Sequence, residues 1–442
     1  MTPRVAVIGA GYAGLACAVE LVDQGVAVEV FEASRTLGGR ARGVDLDGQL
    51  RVDNGAHILV GAYRNTLALM QRVGVDAALL HRHPLRLDYP GHLRLSAARL
   101  PAPLHLAWAL LTARGLSLAD KRAAIRFMRW LKKQHYRLAA DTTVAALLAD
   151  QAQPGRVRHF LWEPLCLAAL NTPPDIASAQ VFLNVLRDSL GADRAAADLL
   201  LPGADFSRLF PDPAARHIEK RGGRVLRQTR IERIEKVGAG WMAHGEQRHG
   251  PYDHLVLAVA PYHLPRLLRD QPEFVPVRHL VEAFTWQPIV TCYLAYPATV
   301  SLAFPMTGLD TRAGGHAQWL FDRGALNGQR GLIAAVISGT GAHAALSHAA
   351  LGAAIHGEIA QQLPGLPAPL RSWVIEEKRA TFSCTPNLSR PATATAFDNV
   401  WLAGDYVAGD YPATLEGAVR SGLAAARSIL GAGRQQPSAG QA

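Results

Sequence analysis

Three glycines near the start of the chain are spaced for work on a phosphate. They lie in Gly9-Ala10-Gly11-Tyr12-Ala13-Gly14. Gly9 permits a tight turn, Gly11 lets backbone approach a pyrophosphate, and Gly14 lets a helix pack closely on a strand. A helix that begins here offers unpaired N–H groups and a partial positive charge to an anion. Glu32, followed by Ala33, stands about twenty residues further on, where a carboxylate accepts hydrogen bonds from ribose hydroxyls. The elements that must hold these groups are legible on either side. Arg4 to Ile8 is a β-branched run that reads as a buried parallel strand. Leu15 to Gln24 reads as a helix ended by Gly25, and Val26 to Phe31 as a second strand closing on Glu32. Strand, glycine turn, helix, strand and acid make a dinucleotide-binding unit, with NAD, NADP and FAD all open at this point.

The bulk numbers narrow the class. At 442 residues the chain exceeds one small core and suggests two or three domains. Hydrophobic residues make up 49% and charged ones 19%, which is globular, and a formal charge of +10 suits an anionic membrane or an acidic partner. No Lys/Arg block carries interleaved aromatics, so nucleic acid is not expected. Cys17, Cys166, Cys292 and Cys384 are far apart with no CxxC pair, so no metal site is expected and reduced cytoplasmic thiols are. The first strand begins at residue 4, leaving no room for a signal peptide, and no apolar run reaches spanning length.

Leu37-Gly38-Gly39-Arg40-Ala41-Arg42 extends the opening unit, and this resembles the FAD-binding unit of the amine-oxidase/phytoene-desaturase superfamily. The resemblance implies an arginine, Arg40, near the cofactor's phosphates. Val52 to Asn65 is similar to the carotene-desaturase segment that passes near the isoalloxazine, which implies cofactor contacts at Gly55, Ala56 and His57. Gly55 allows close backbone approach, while His57 either donates a proton there or is a buried histidine bonded to backbone. Ile231 corresponds to the residue whose backbone meets the adenine. Val400 to Gly422 resembles the second flavin motif. It places Asp405, after Gly404, on the ribityl chain or phosphate, and turns the N–H groups of Leu415-Glu416-Gly417-Ala418 toward the flavin pyrimidine edge. No cysteine lies in 400–422, so FAD is expected to be non-covalent.

Residues 66 to 200 turn helical. Leu104 to Leu111 is strongly apolar and contains Trp108. Ala119 to Arg137 reads as a basic amphipathic helix, with Arg122, Arg126, Arg129, Lys133 and Arg137 on one stripe and Lys121 and Lys132 breaking the apolar side. Such a helix lies on an anionic bilayer or packs on its own domain with its charges solvated. Phe160 to Ala179, with its Trp-Glu-Pro-Leu-Cys start and Asn171-Thr172-Pro173-Pro174 break, reads as an apolar helix stopped by prolines, and Asp175 or Ser178 caps the next helix, Val181 to Leu190. This run resembles the squalene-associated FAD-dependent desaturases, whose characterised activity is reductive dehydroxylation of hydroxysqualene in squalene and hopanoid synthesis. That resemblance implies a C30 isoprenoid substrate, a reductant of unspecified chemistry, and a cytoplasmic protein peripheral on the membrane. His57, Tyr406 and Tyr411 are candidate proton donors by position. A carotene-type desaturase is the alternative, and an amine oxidase a more distant one.

Further on, Pro213 to Arg221 reads as a helix, Arg224 to Leu226 and Thr229 to Ile234 as strands, and Ile289 to Ala295, Gln318 to Phe321 and Leu332 to Ser338 as strands of a second sheet. Trp286, Tyr293, Trp319 and Phe321 line an apolar tunnel or fill a core. The expected fold is α/β: a discontinuous Rossmann-like FAD-binding domain from 1–65, 205–262 and 395–430, an α+β substrate domain from 66–204 and 263–394 with a mixed sheet plus helices, and a disordered tail at 431–442.

Overall fold

The structure is a computed structural model that describes residues 2–48 and 50–434. Its central feature is a five-stranded parallel sheet. In spatial order the strands are Arg224–Leu226, Ala27–Phe31, Arg4–Ile8, His254–Leu257 and Val400–Leu402. In chain order that is 3-2-1-4-5, a doubly wound sheet, and ligands bind where such an order reverses, outside the carboxyl ends of the strands. The first helix, Tyr12–Asp23, is almost wholly buried because it lies between this sheet and the last helix, Leu415–Arg434. Gly9 adopts φ +110°, and a Cβ there would stand 2.5 Å from the Ala258 carbonyl oxygen. At Gly14 a Cβ would stand 2.0 Å from the Gly9 carbonyl oxygen. Helix and strand therefore meet at a distance that only glycine permits.

A three-stranded antiparallel meander, Arg233–Val237, Gly240–His244 and Arg248–Tyr252, separates the third and fourth strands. The strand expected over Thr229 to Ile234 thus starts only at Arg233. Residues 229–232 stay irregular, because the Thr229 and Glu232 N–H groups bond the Glu32 and His244 carbonyls rather than a continuous ladder.

The second sheet has the order Met306–Gly308, Trp319–Asp322, Leu332–Ser338, Trp286–Ala295 and Arg371–Phe382. Expected as mixed, it is antiparallel throughout. Side chains alternate across its faces. Val290, Cys292, Leu294, Leu320, Ile333, Ala335 and Ile337 pack under the helix His348–Gln362. Ile289, Met306, Trp319, Phe321 and Val336 face the other way, toward the cavity described below. One buried ion pair ties the hairpin strand Leu50–Asp53 to the turn that follows Trp319–Asp322 in the second sheet. Arg323 Nη1 donates to Asp53 Oδ2 at 3.2 Å, Phe206 N–H to Asp53 Oδ1 at 2.8 Å, and the Tyr293 hydroxyl to the Asp53 carbonyl at 2.9 Å. Tyr293 is thus a core residue and no tunnel wall.

The helical insertion holds Leu104–Thr112, Leu118–Lys133, Val144–Asp150, Glu163–Leu170 and Ala179–Ser189. Ser117 and Asp120 form a capping box that starts the second of these. It ends at Lys133, short of Arg137, because His135 and Tyr136 take positive φ and turn the chain. Of the two caps open at 175–178, Ser178 is the one used, its Oγ accepting from Val181 N–H at 3.1 Å. A π-helical turn, Arg158–Trp162, leads into Glu163–Leu170, and Asn171 ends that helix at φ +45°, a position asparagine tolerates. All four cysteines are buried and free. Of the tail expected at 431–442, residues 431–434 are the last turn of the final helix and 435–442 lie outside the described residues.

Candidate active site

The carboxyl ends of the parallel strands open into a cavity of about 810 Å³, at the upper end of the usual range for ligand sites. One end is built for a dinucleotide. Gly9, Gly11, Tyr12 and Ala13 line it, and a Cβ at Gly11 would meet nothing within 4 Å, so the backbone lies bare toward the cavity. The first helix has Gly11 as its N-cap with no side-chain cap bond, which leaves its first N–H groups for an anion. Glu32, at the end of the second strand, accepts from Ala10 N–H at 3.0 Å and Ser34 N–H at 2.8 Å. Its carboxylate and Ala33 lie on the wall, with Ile231 across from them.

Gly39 and Arg40 continue this wall. Arg40 donates to Asp405 Oδ1 at 2.6 Å and to the Ala380 carbonyl at 2.7 Å, joining the first and last motifs across the cavity with Gly404 beside them. At the start of the last helix, Thr414 takes the Gly417 N–H on its Oγ1 and the Ala418 N–H on its carbonyl. The N–H groups of Leu415 and Glu416 have no intrahelical partner. Leu415 and Ala418 line the cavity. Two helix N-termini thus border one space, and the donor set fits a flavin dinucleotide.

Six expected site residues stand off the wall. Gly14 serves helix packing, and Gly55 turns the chain at φ +98° beneath His57. Gly417 and Glu416 lie behind the helix start. The Glu416 carboxylate is fully buried and accepts from Asn65 and Thr66 and from Arg420. It caps the helix Arg64–Arg72. Tyr406 packs against Gly404 and aims its hydroxyl at the Leu257 carbonyl at 3.4 Å. Tyr411 is buried with the Arg420 guanidinium 4.3 Å over its ring. Neither tyrosine reaches the cavity, and both are set aside as proton donors.

His57 and Ala56 do line it. The His57 Nδ1 lies 2.6 Å from the Gly55 carbonyl, which can only accept, so Nδ1 carries the proton and Nε2 presents a lone pair. Burial, and after it the charge of Arg40, lowers the His57 pKa against the pull of that bond. The imidazole is neutral at pH 7 and acts as an acceptor.

The other half of the cavity is apolar. Leu167, Ala168 and Ala169 from Glu163–Leu170 face Ile289, Met306, Trp319, Phe321 and Val336 from the second sheet. Trp286 is absent from this wall and stacks edge-on against Tyr262 near the mouth. Asn171 fixes the junction, donating to the Pro288 carbonyl and Thr381 Oγ1 and accepting from Gly339 N–H. Sequence reasoning had no signal for the inward-facing alanines or for Asn54, Tyr63, Arg230 and Tyr262, which also line the cavity; each needs the three-dimensional path of its loop.

A doubly wound sheet, two helix ends on one dinucleotide-shaped space and an apolar chamber beside it define a flavin-dependent oxidoreductase. The flavin containing amine oxidoreductase family matches residues 12–430, and the chain belongs to it; its cofactor is FAD. Hydroxysqualene dehydroxylase of Rhodopseudomonas palustris is 31% identical over 98% of this chain and 100% of its own length. 15-cis-phytoene desaturase of Synechococcus elongatus is 26% identical over 97% of this chain and 96% of its own. Among solved structures, cyclohexylamine oxidase from Brevibacterium oxydans superposes with a TM-score of 0.70 at 20% identity, covering 98% of this chain and all of the other.

Proposed function

We propose that this protein reduces hydroxysqualene to squalene, binding the C30 chain in the apolar half of the cavity. The observation that carries the reading is that chamber, walled by Leu167, Ala168, Ala169, Met306, Trp319 and Phe321 and opening directly onto the flavin half. Burying hydrocarbon there gains roughly 0.8 kcal/mol per CH₂, so few polar contacts are needed. The relatives named hydroxysqualene dehydroxylase cover 96–98% of the chain and support it. FAD, when bound, supplies a hydride equivalent to the carbon that loses its hydroxyl. We assign the FAD-binding part to 1–65, 205–262 and 395–430, and the substrate part to 66–204 and 263–394.

The chain's own residues handle the departing oxygen. His57 Nε2, as a lone pair, accepts the substrate O–H and orients the C–O bond. Tyr63 lines the cavity with no hydrogen bond to its hydroxyl among the described residues, and it donates to the leaving oxygen so that water departs. Burial raises the Tyr63 pKa and Glu416 raises it further, which keeps the phenol protonated. Tyr63→Phe should lower turnover about 10²-fold with flavin content unchanged, measured by squalene formation and by absorbance.

The decisive experiment is anaerobic incubation of photoreduced enzyme with hydroxysqualene. Flavin reoxidation with squalene formed in equal amount is the expected result. A second reading, a carotene-type desaturase, is favoured by the phytoene desaturase match. Reoxidation only by a quinone, with new double bonds in an isoprenoid, would replace the first reading with that one.

No helix among the described residues is long and apolar enough to cross a membrane. We infer a peripheral attachment at the cytoplasmic face through Leu104–Thr112 and Leu118–Lys133. Leu104, Trp108, Leu111 and Leu118 are 56%, 48%, 70% and 69% exposed, and Arg122, Arg126, Arg129 and Lys132 are exposed nearby. An apolar patch edged by cations suits an anionic bilayer. Leu104→Asp with Leu111→Asp should weaken binding to phosphatidylglycerol vesicles by about tenfold or more, read by sedimentation, and equal binding of the variant would sink the attachment.

A further inference from the structure

On the flank of the cavity mouth, cations outnumber the acids, which are Glu232 and Glu377. Arg230, His263 and Arg266 line the mouth at its adenosine end, and Arg379 stands just outside it; all four are exposed. Among the described residues, Arg266 is the one of these four with a carboxylate at ion-pair distance, Glu232 at 2.8 Å. The Arg379 guanidinium lies 4.9 Å from the Tyr262 ring centroid and 6.0 Å from that of Trp286. Tyr262 in turn meets His263 at 4.5 Å and Trp286 at 5.2 Å between centroids. The cations act on one another: burial, then the charges of Arg230, Arg379 and Arg266, lower the His263 pKa. Like charges held together on rigid elements cost free energy that an anionic partner recovers.

We propose that this face docks the electron donor, and that the donor is a small acidic one-electron carrier protein. The inference rests on the reductive reading above. Converting R–OH to R–H and water takes two electrons and two protons; the carrier delivers the electrons singly and solvent the protons. A nicotinamide nucleotide fits less well. Hydride transfer needs contact with the flavin ring, and the apolar half of the cavity offers no cation for the nucleotide's phosphates. Single electrons need no such contact, and Tyr262, under Arg379, lines the same cavity as the Arg40–Asp405 pair. The rim pairs a steering field with an aromatic anchor, a combination that favours fast, salt-sensitive association.

The test uses FAD-loaded full-length protein with a purified acidic flavodoxin and an acidic plant-type ferredoxin as probes. Calorimetry at several salt concentrations gives the affinity, and stopped-flow with the photoreduced carrier gives the rate of electron entry. At least one carrier should bind, more weakly as salt rises. Arg379→Glu should weaken that binding about tenfold at low salt and slow reduction to match, while Arg379→Lys stays near wild type and reduction by dithionite is unaltered. Failure of both carriers to bind, or equal binding by Arg379→Glu, overturns the proposal. Saturable reduction by a nicotinamide nucleotide alone does so too. The calorimetric result is independent of substrate: if hydroxysqualene is not turned over but carrier binding persists, the reductive reading fails and the docking face stands.

Discussion

Glu416→Ala will lower stability by about 3–5 kcal/mol, seen as a fall in the denaturant midpoint of both flavin-loaded and flavin-free protein. The carboxylate is fully buried and accepts five hydrogen bonds: from Asn65 N–H and Nδ2 at 3.2 and 2.8 Å, from Thr66 N–H and Oγ1 at 3.0 and 2.8 Å, and from Arg420 Nε at 2.8 Å. Truncation orphans the opening N–H groups of Arg64–Arg72 and leaves the Arg420 guanidinium without its counter-ion, and groups stripped of partners in the interior bear the full desolvation cost. Flavin affinity should fall as well, because Leu415 sits one residue from the lost anchor. Glu416→Gln keeps an acceptor and should cost less. A carboxylate that touched only cofactor would leave the flavin-free protein unchanged, so equal midpoints there would disprove the structural role.

Arg323→Met should produce a defect of similar size, about 3–5 kcal/mol, and one that depends on pH. Burial holds the Asp53 pKa up at about 6, with Arg323 opposing the shift. A carboxyl whose folded pKa lies above its unfolded value near 3.8 gives its stabilisation below the unfolded pKa and loses it as pH rises through the folded one. In wild type that loss is complete a little above pH 6. Without Arg323 the folded pKa climbs further, so the loss continues to higher pH. The variant's deficit should therefore be small near pH 4.5 and largest near pH 8, followed by urea unfolding across that range. Asp53→Asn combined with Arg323→Met keeps an acceptor for Phe206 N–H and removes the stranded charge, so it should recover most of the loss at pH 8.

What could be read from the chain beforehand followed from local physics. Strand, glycine turn, helix and acid over residues 4–32 lie within one contiguous unit, and each residue's role there depends on neighbours in sequence. The flavin motifs likewise announce themselves through glycines, some of which, such as Gly9, Gly14 and Gly417, leave no room for a Cβ. Glu416 shows where that reasoning stops: the same helix start that borders the cavity turns its carboxylate the other way, and only the packing of Arg64–Arg72 against it reveals why. Tyr406 follows Asp405 directly and Tyr411 lies six residues on, yet closeness in sequence says nothing of side-chain direction. Asp53 and Arg323 are 270 residues apart, and no periodicity connects them. The alanines at 168 and 169 read as ordinary helix formers, and their place on a cavity wall depends on how Glu163–Leu170 is rotated about its axis.

The parallel sheet has a consequence for synthesis. Its middle strand leaves the ribosome nearly four hundred residues ahead of the edge strand Val400–Leu402 and of the helix that covers Tyr12–Asp23. Contacts between such distant segments form slowly, since a long loop must close before they yield any gain. Until then the first helix keeps a bare apolar flank, a liability for a nascent chain. A polypeptide halted before residue 400 would carry the phosphate-binding turn but lack Asp405 and the second helix N-terminus. Yellow colour in a preparation of this protein should accordingly report chains that extend through Leu415–Arg434, with shorter products emerging colourless and prone to aggregate.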